Sequence, residues 1–220
     1  LRGFLYGRKI VVSSPFTADN VGQTIAPSPR ITGSVLYAPV GTPLPTSSYA
    51  TLNSGFTDLG YVDENGLKQK EDRSNTDVFV WGGDLLGTLQ EKYSRTMSFK
   101  LYQFLDSNVL AAGYGHNNVS VTYATGSEGN ETAVKMNSQI LDTLSWVFDG
   151  YYYTAAGFEA LVRVVVPVGR ITQVGDVDLT NKAFMSIEAT LKAFPDAQKN
   201  HGYLYVNDGI TTGGGGLGGS

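Results

Sequence analysis

The sequence predicts a mainly β protein with one short helix, and three observations carry that expectation. Charged residues make up only 16% of the 220 residues, against roughly a quarter in an average chain, so the polar faces that helices need are scarce. Glycine is abundant at 27 residues and aromatics reach 11%, which suits strands joined by turns. Apolar and polar residues also alternate with period two in several windows. The length fits one large domain, a size that all-β folds often use as a single unit.

Residues 1–30 read as an N-terminal segment that could serve as an arm, 31–209 as the folded domain and 210–220 as a flexible tail. That tail, from Thr211 through the glycines at 213–216 to Ser220, has no means of building a core. From Ser28 to Thr51 the chain holds Pro29, Pro39, Pro43 and Pro45 among Ser and Thr. Proline fixes φ and lacks an N–H, so this stretch is expected to be extended and unable to join a sheet interior, as an arm or a long connection.

The next stretch, Gly55 to Leu67, places Asp58, Asp63 and Glu64 beside Asn65-Gly66. A calcium loop of the EF-hand type fails by register. With Gly66 at the sixth position, Tyr61 falls where the first ligand belongs, and Asp72 is too short for the twelfth. Asn65-Gly66 instead suits a tight turn with both residues left-handed. Lys68 to Asn75 is then wholly polar with mixed charge, and Val78-Phe79-Val80-Trp81 turns abruptly apolar before Gly82-Gly83-Asp84. Such a polar excursion, leaving the domain and returning on the aromatic strand at Val78 to Trp81, either solvates itself or docks on another subunit.

Beyond it, Met97, Phe99, Leu101 and Leu105 alternate with Thr96, Ser98 and Lys100, as in a strand with one buried face. A short helix follows, with Asp106 or Ser107 capping Asn108 to Ala112 and Gly113 closing it. Val119, Val121 and Tyr123 alternate with Ser120 and Thr122. Leu144 to Tyr153 reads as a strand, an Asp149-Gly150 turn and a second strand. Leu161 to Ile171 is mostly β-branched and apolar at nearly every position, like a strand covered on both faces or lying in a subunit contact, and Pro167 within it suggests an edge or a bulge. Residues 183–193 fit helical spacing at Phe184, Ile187 and Leu191, but alternation covers more positions and predicts a strand ended by Pro195.

Candidate chemistry is sparse. The chain has no cysteine, which excludes disulfides, thiolate nucleophiles and cysteine-based metal sites. His116 and His201 lack triad or metal-ligand spacing, and His116 among Gly115, Asn117 and Asn118 reads as a loop histidine. The glycines at 213–216 precede no helix and no Lys-Ser or Lys-Thr, so they form no phosphate loop. Asp58, Asp63, Glu64, Asp84 and Asp149 lie near aromatics, but no spacing sets two of them at a glycosidase separation. A net charge of -4 and a pI near 5.1 give no electrostatic drive for tight nucleic-acid binding. No window is long and apolar enough to span a bilayer or act as a signal peptide, so no membrane insertion is expected.

The order of several motifs resembles the major tail protein of long, non-contractile-tailed bacteriophages. It runs Ala38-Pro39-Val40-Gly41-Thr42-Pro43, Phe56 to Val62, Glu64-Asn65-Gly66-Leu67, Val80-Trp81-Gly82-Gly83-Asp84, then a strand entering a short helix before Gly115. The resemblance spans roughly residues 30–195. It implies an antiparallel β-sandwich with one flanking helix and long extended arm and loop segments. Its sheets would join between subunits into hexameric rings, stacked as a tail tube for genome delivery, with no enzyme activity and no cofactor.

Carried over by position, the excursion from Asp63 to Asp77 corresponds to the loop that bridges stacked rings, with Asp63, Glu64, Asn65, Gly66, Lys68, Lys70, Glu71, Asp72 and Arg73 as candidates. Pro39, Pro43, Pro45 and Tyr49 are the candidates for a subunit-contact arm. Implied partners are further copies of the chain, a tape measure protein, and tail terminator and distal tail proteins, with DNA passing through unbound. The implied location is the virion tail, after assembly in host cytoplasm. Two other readings stay open: a carbohydrate- or receptor-binding sandwich of a tail tip using Trp146, Tyr151, Tyr152 and Tyr153, and a glycosidase using Asp58, Asp63, Asp84 and Asp149.

Overall fold

A computed structural model describes residues 27–29, 34–153 and 158–210. The N-terminal segment up to residue 26 and the tail from 211 onward therefore lie outside the described residues. Within them the strands are β1 (Ser28–Pro29), β2 (Val35–Pro39), β3 (Thr57–Asp58), β4 (Lys68–Phe79), β5 (Leu85–Leu101), β6 (Val119–Thr122), β7 (Glu131–Val134), β8 (Leu144–Tyr153), β9 (Glu159–Val174), β10 (Ile187–Phe194) and β11 (Tyr203–Asn207). The helix α1 spans Ser107–Tyr114.

Nine strands form one antiparallel sheet in the order β3-β2-β8-β9-β10-β5-β4, with β1 added to β8 and β11 to β9. The long pair β8–β9 is its axis. Along β8 the outer partner changes from β2 to β1, and along β9 it changes from β10 to β11. The sheet also curls back on itself. Phe99 on β5 lies 5.9 Å from Trp146 and 5.3 Å from Phe148 on β8, although two strands separate β5 from β8 in hydrogen-bonding order. The segment after β3 closes the gap: Leu59 N–H donates to Val35 O, Asp63 N–H donates to Lys100 O, and Val62 bridges Leu101. The two facing layers of the predicted sandwich are thus one continuous sheet.

Inside the curl, Trp146, Leu59, Met97, Leu101, Ile187 and Leu191 are fully buried. The alternation that predicts β10 is met from Ile187 onward, with Ile187, Ala189, Leu191 and Ala193 inward, and the strand stops before Pro195, whereas residues 183–186 of the expected strand lie outside it. Gly169 makes room for this core. A Cβ there would lie 3.1 Å from Trp146, Leu191 and Val166, and the indole N–H of Trp146 donates to the Gly169 carbonyl. The opposite face of β2, β8 and β9 presents Leu36, Val147 and Val165 to Leu44, Leu52 and Phe56. This loop is fastened by Arg163, only 6% exposed, which holds Asp149 through Nε and Nη2 at 2.6 and 2.7 Å and donates through Nη1 to the carbonyls of Ser47 and Ala50.

Several expectations need correction. Asp149-Gly150 is no turn: β8 runs unbroken through it, because Asp149 is claimed by Arg163 across the strand pair and Gly150 admits β1, where a Cβ would sit 3.3 Å from Pro27. The stretch from Ser28 to Thr51 does enter the sheet interior. β2 lies between β3 and β8 with Val35 to Ala38 buried, and only at its end does Pro39 stop it. The helix is capped by Asp106, whose carboxylate accepts Asn108 N–H, but it ends at Gly115 (φ 96°) and not at Gly113, which packs inside it near Ile187. Leu105 lies past the strand and is exposed; Val121 is exposed on a small separate sheet of β6 and β7, and Tyr123, also exposed, lies just past its end. Pro167 sits at a bulge, where Trp146 pairs Val166 and Leu144 pairs Gly169.

Candidate functional site

The acidic stretch and the polar excursion fold into two connected pieces: a pinned base and a projecting ribbon. At the base Asp63 is buried. Its carboxylate accepts the Tyr102 hydroxyl together with the backbone and side-chain N–H groups of Asn65. These bonds favour the charged form, with Tyr102 contributing most, and they lower the Asp63 pKa from 3.8 to about 2. Gly66 N–H returns to Asp63 O at 2.8 Å. Of the Asn65-Gly66 pair only Gly66 is left-handed, at φ 61°, so the turn differs from the doubly left-handed one expected. Three donors already occupy the acid best placed for a cation. Among the described residues no group of three His, Asp or Glu side chains could hold a metal ion.

From that base β4 and β5 form an antiparallel ribbon, Lys68 opposite Ser98 and Phe79 opposite Leu85. The polar excursion is therefore a strand, as its paired backbone shows. Nearly all of β4 and the first eight residues of β5 are exposed, so most of the ribbon has solvent on both faces. Cross-strand contacts hold it in place of a core: Thr76 Oγ1 donates to Glu91, Thr88 Oγ1 to Asp77, Arg73 Nη1 to Gln90 and Arg95 Nη2 to Gln69. The Arg73 guanidinium also pairs with Glu71 and lies 4.8 Å from the Tyr93 ring centroid. Lys70 pairs with Asp72 at 3.0 Å. The outer edge of β4 has no neighbouring strand among the described residues.

The ribbon ends in apolar side chains. Trp81 is fully exposed, and Phe79, Val80, Leu85, Leu86 and Leu89 are exposed around it. The turn is defined by its backbone. Gly83 N–H donates to Val80 O, Val80 N–H donates to Asp84 O, and Gly82 and Gly83 both have positive φ. The sequence expectation that Val78 to Trp81 marks a return into the domain misses this, because a local apolar run looks the same in a core and at a projecting tip.

The predicted ribbon residues thus divide. Glu64, Asn65, Lys68, Lys70, Glu71, Asp72 and Arg73 are exposed and Gly66 half-buried, while Asp63 is committed to its own chain. Of the arm residues, Pro39, Pro43 and Tyr49 are exposed, whereas Pro45 is buried beneath its own loop. The glycosidase alternative finds no constellation among these acids. Asp149 is held by Arg163, Asp58 accepts Gly60 N–H, and Asp84 stands at the ribbon tip. For a sugar platform Trp146 is unusable, being fully buried.

One arrangement escapes the sequence. His116 Nδ1 lies 2.9 Å from Asp142 and Nε2 lies 3.1 Å from the Tyr37 hydroxyl, in the order of a catalytic triad. Tyr37 is buried, and burial pushes its pKa up, so the hydroxyl is a poor nucleophile. For Asp142 burial acts upward, but the backbone and side-chain hydrogen bonds from His116 outweigh it and lower the pKa. The group clamps the segment before β8 onto β2. The 26-residue separation of His116 and Asp142 left no local signal.

No helix of the described residues is long and apolar enough to cross a membrane. No curated protein matches this chain. A protein family described as phage tail tube protein does match it, over residues 18–213, a span that includes the whole curled sheet and the exposed ribbon. With nearly all of its length inside that match, the chain belongs to the phage tail tube protein family.

Proposed function

We propose that this protein is a structural subunit that assembles into stacked rings forming the tube of a phage tail, the conduit through which the genome leaves the particle.

 The rings are hexameric and need no cofactor, and the role involves no bond chemistry. The observation that carries this is the β4–β5 ribbon, which is exposed on both faces and ends in an apolar tip. A lone two-stranded ribbon is marginal in water, and an exposed apolar cluster marks a surface that meets another protein. We take that other protein to be a further copy of the chain, a reading that membership of the tail tube family supports because a tube is built from repeated subunits.

In this arrangement Glu64, Lys68, Lys70, Glu71, Asp72 and Arg73 supply the mixed charge that docks one ring on the next, while Asp63, Asn65 and Gly66 set the direction in which the ribbon leaves. Pro39, Pro43 and Tyr49 contact a neighbour within the ring, and Pro45 shapes that loop from beneath. Joining sheets between subunits removes the free outer edge of β4. A net charge of -4 suits a conduit, because DNA slides past a wall that does not neutralise its phosphates. The subunit assembles in host cytoplasm and ends in the virion tail, where a tape measure protein fills the tube and terminator and distal tail proteins close its ends.

Negative-stain electron microscopy of the purified chain tests this. Six-fold rings or tubes are expected, and a protein that stays monomeric or forms only discrete dimers under all conditions overturns the reading. Replacing Thr76 to Thr88 by an Asn-Gly turn should leave the curled sheet folded and abolish stacking.

A further inference from the structure

The ribbon tip has a counterpart at the other end of β5. There the chain continues into Tyr102 to Asp106, which with Phe184 and Met185 borders a cleft of about 570 Å³. Its wall is mainly apolar, and Leu105 and Phe184 stand at 95% and 88% exposure, unusual for side chains of that size. The polar groups beside them are already engaged. Asp106 caps α1 and the Tyr102 hydroxyl donates to Asp63. Gln103, also on the wall, has its amide packed against Gly60.

The tip carries Trp81 on a hydrogen-bonded turn, so the indole is presented by a defined backbone. Seventeen residues of β5 put about 55 Å of extended strand between tip and cleft. One subunit would have to fold its own ribbon back to join them. Two unlike, complementary patches at opposite ends of one element make a heterologous, head-to-tail contact, the kind that repeats without closing on a pair. We propose that Trp81 of one subunit seats in the cleft between Leu105 and Phe184 of a second copy of this chain. The inference rests on the assembly reading above and adds the surface that receives the ribbon.

The absence of cysteine makes a specific test possible. Phe184→Cys, labelled with a benzophenone maleimide and irradiated in assembled tubes, should cross-link to the peptide containing Trp81 of another copy. The same label on unassembled subunits should not. Tubes whose cross-links fall on residues 1–26, on residues 211–220 or on another part of the neighbour overturn the proposal while leaving assembly intact. Failure of the unmodified chain to form any tube overturns the assembly reading and this proposal with it.

A second measurement needs no label. Trp81 and the buried Trp146 are the two tryptophans, so assembly of the unmodified chain should shift emission to shorter wavelength, and a Trp81→Phe chain should show no such shift. Tubes that form without that difference also refute the contact. Trp81→Ala should raise the concentration needed for assembly by on the order of tenfold or more, as for a central aromatic anchor.

Discussion

The curled sheet and the ribbon that leaves it are built from the same strand, β5, yet they obey different rules. From Met97 to Leu101 alternate side chains of β5 are buried against Trp146, Phe148 and their neighbours. From Leu85 to Lys92 every residue is exposed. In the first part stability comes from apolar burial, at roughly 25 cal/mol per Å². In the second it comes from cross-strand pairs, each worth about 0.2–1 kcal/mol. The sheet is therefore designed to hold itself together, whereas the ribbon's apolar tip contributes to stability only when another molecule covers it.

Substitutions in the two regions should separate these roles. Trp146→Ala removes the largest fully buried side chain and should lower unfolding free energy by about 3–5 kcal/mol, read by denaturant titration. Arg163→Ala leaves the Asp149 carboxylate buried without its partner and releases the carbonyls of Ser47 and Ala50. A loss of about 3–5 kcal/mol is expected, with protease sensitivity appearing first in the loop around Ser47. A loss below 1 kcal/mol in either case would mean that the sheet is not held by this core.

Asp63 lies at the junction, and its effect should be smaller. Asp63→Ala leaves the Tyr102 hydroxyl and Asn65 N–H without their acceptor, a loss of about 1–3 kcal/mol. Because the folded pKa is lowered, the stabilisation from Asp63 is fully present above 3.8 and is lost as pH falls through about 2. Asp63→Asn should flatten the acid limb of a stability profile within that window. An unchanged limb would show that the junction is not tied by this carboxylate. Smallest of all, Thr76→Val and Thr88→Val in the ribbon should change stability by no more than about 0.5 kcal/mol, measured by the same titration.

The same contrast explains what could be read in the sequence. β10 is legible because Ile187, Ala189, Leu191 and Ala193 face one core, so burial is written as alternation. Helix α1 is legible at its start, where the Asp106 cap is local, but not at its end, because Gly113 has the composition of a cap and the position of a packing residue. Asp149-Gly150 resembles a turn when read alone. What keeps it in a strand is Arg163, fourteen residues away, and the approach of β1. The clamp of Tyr37, His116 and Asp142 is likewise assembled from distant segments. In the ribbon, the mixed charge of Lys68 to Arg73 signals exposure correctly, while Phe79 to Trp81 mislead because apolar character states a need for cover without saying which molecule provides it.

Pro167 has a consequence for folding accuracy. It lies where β9 exchanges β10 for β11, between the pairs Leu191 with Ile171 through Phe194 with Val168 and the pair Tyr203 with Val165. On its other side the Ser145 hydroxyl donates to its carbonyl. In this register its missing N–H faces no ladder position that requires one. A slip of one residue would carry the proline into a paired position and turn the apolar faces of the strand over. With Val162, Val164, Val165, Val166 and Val168 all alike in shape, the proline, together with the pairing of Arg163 to Asp149, acts as a register stop that makes the mispaired sheet the less stable product.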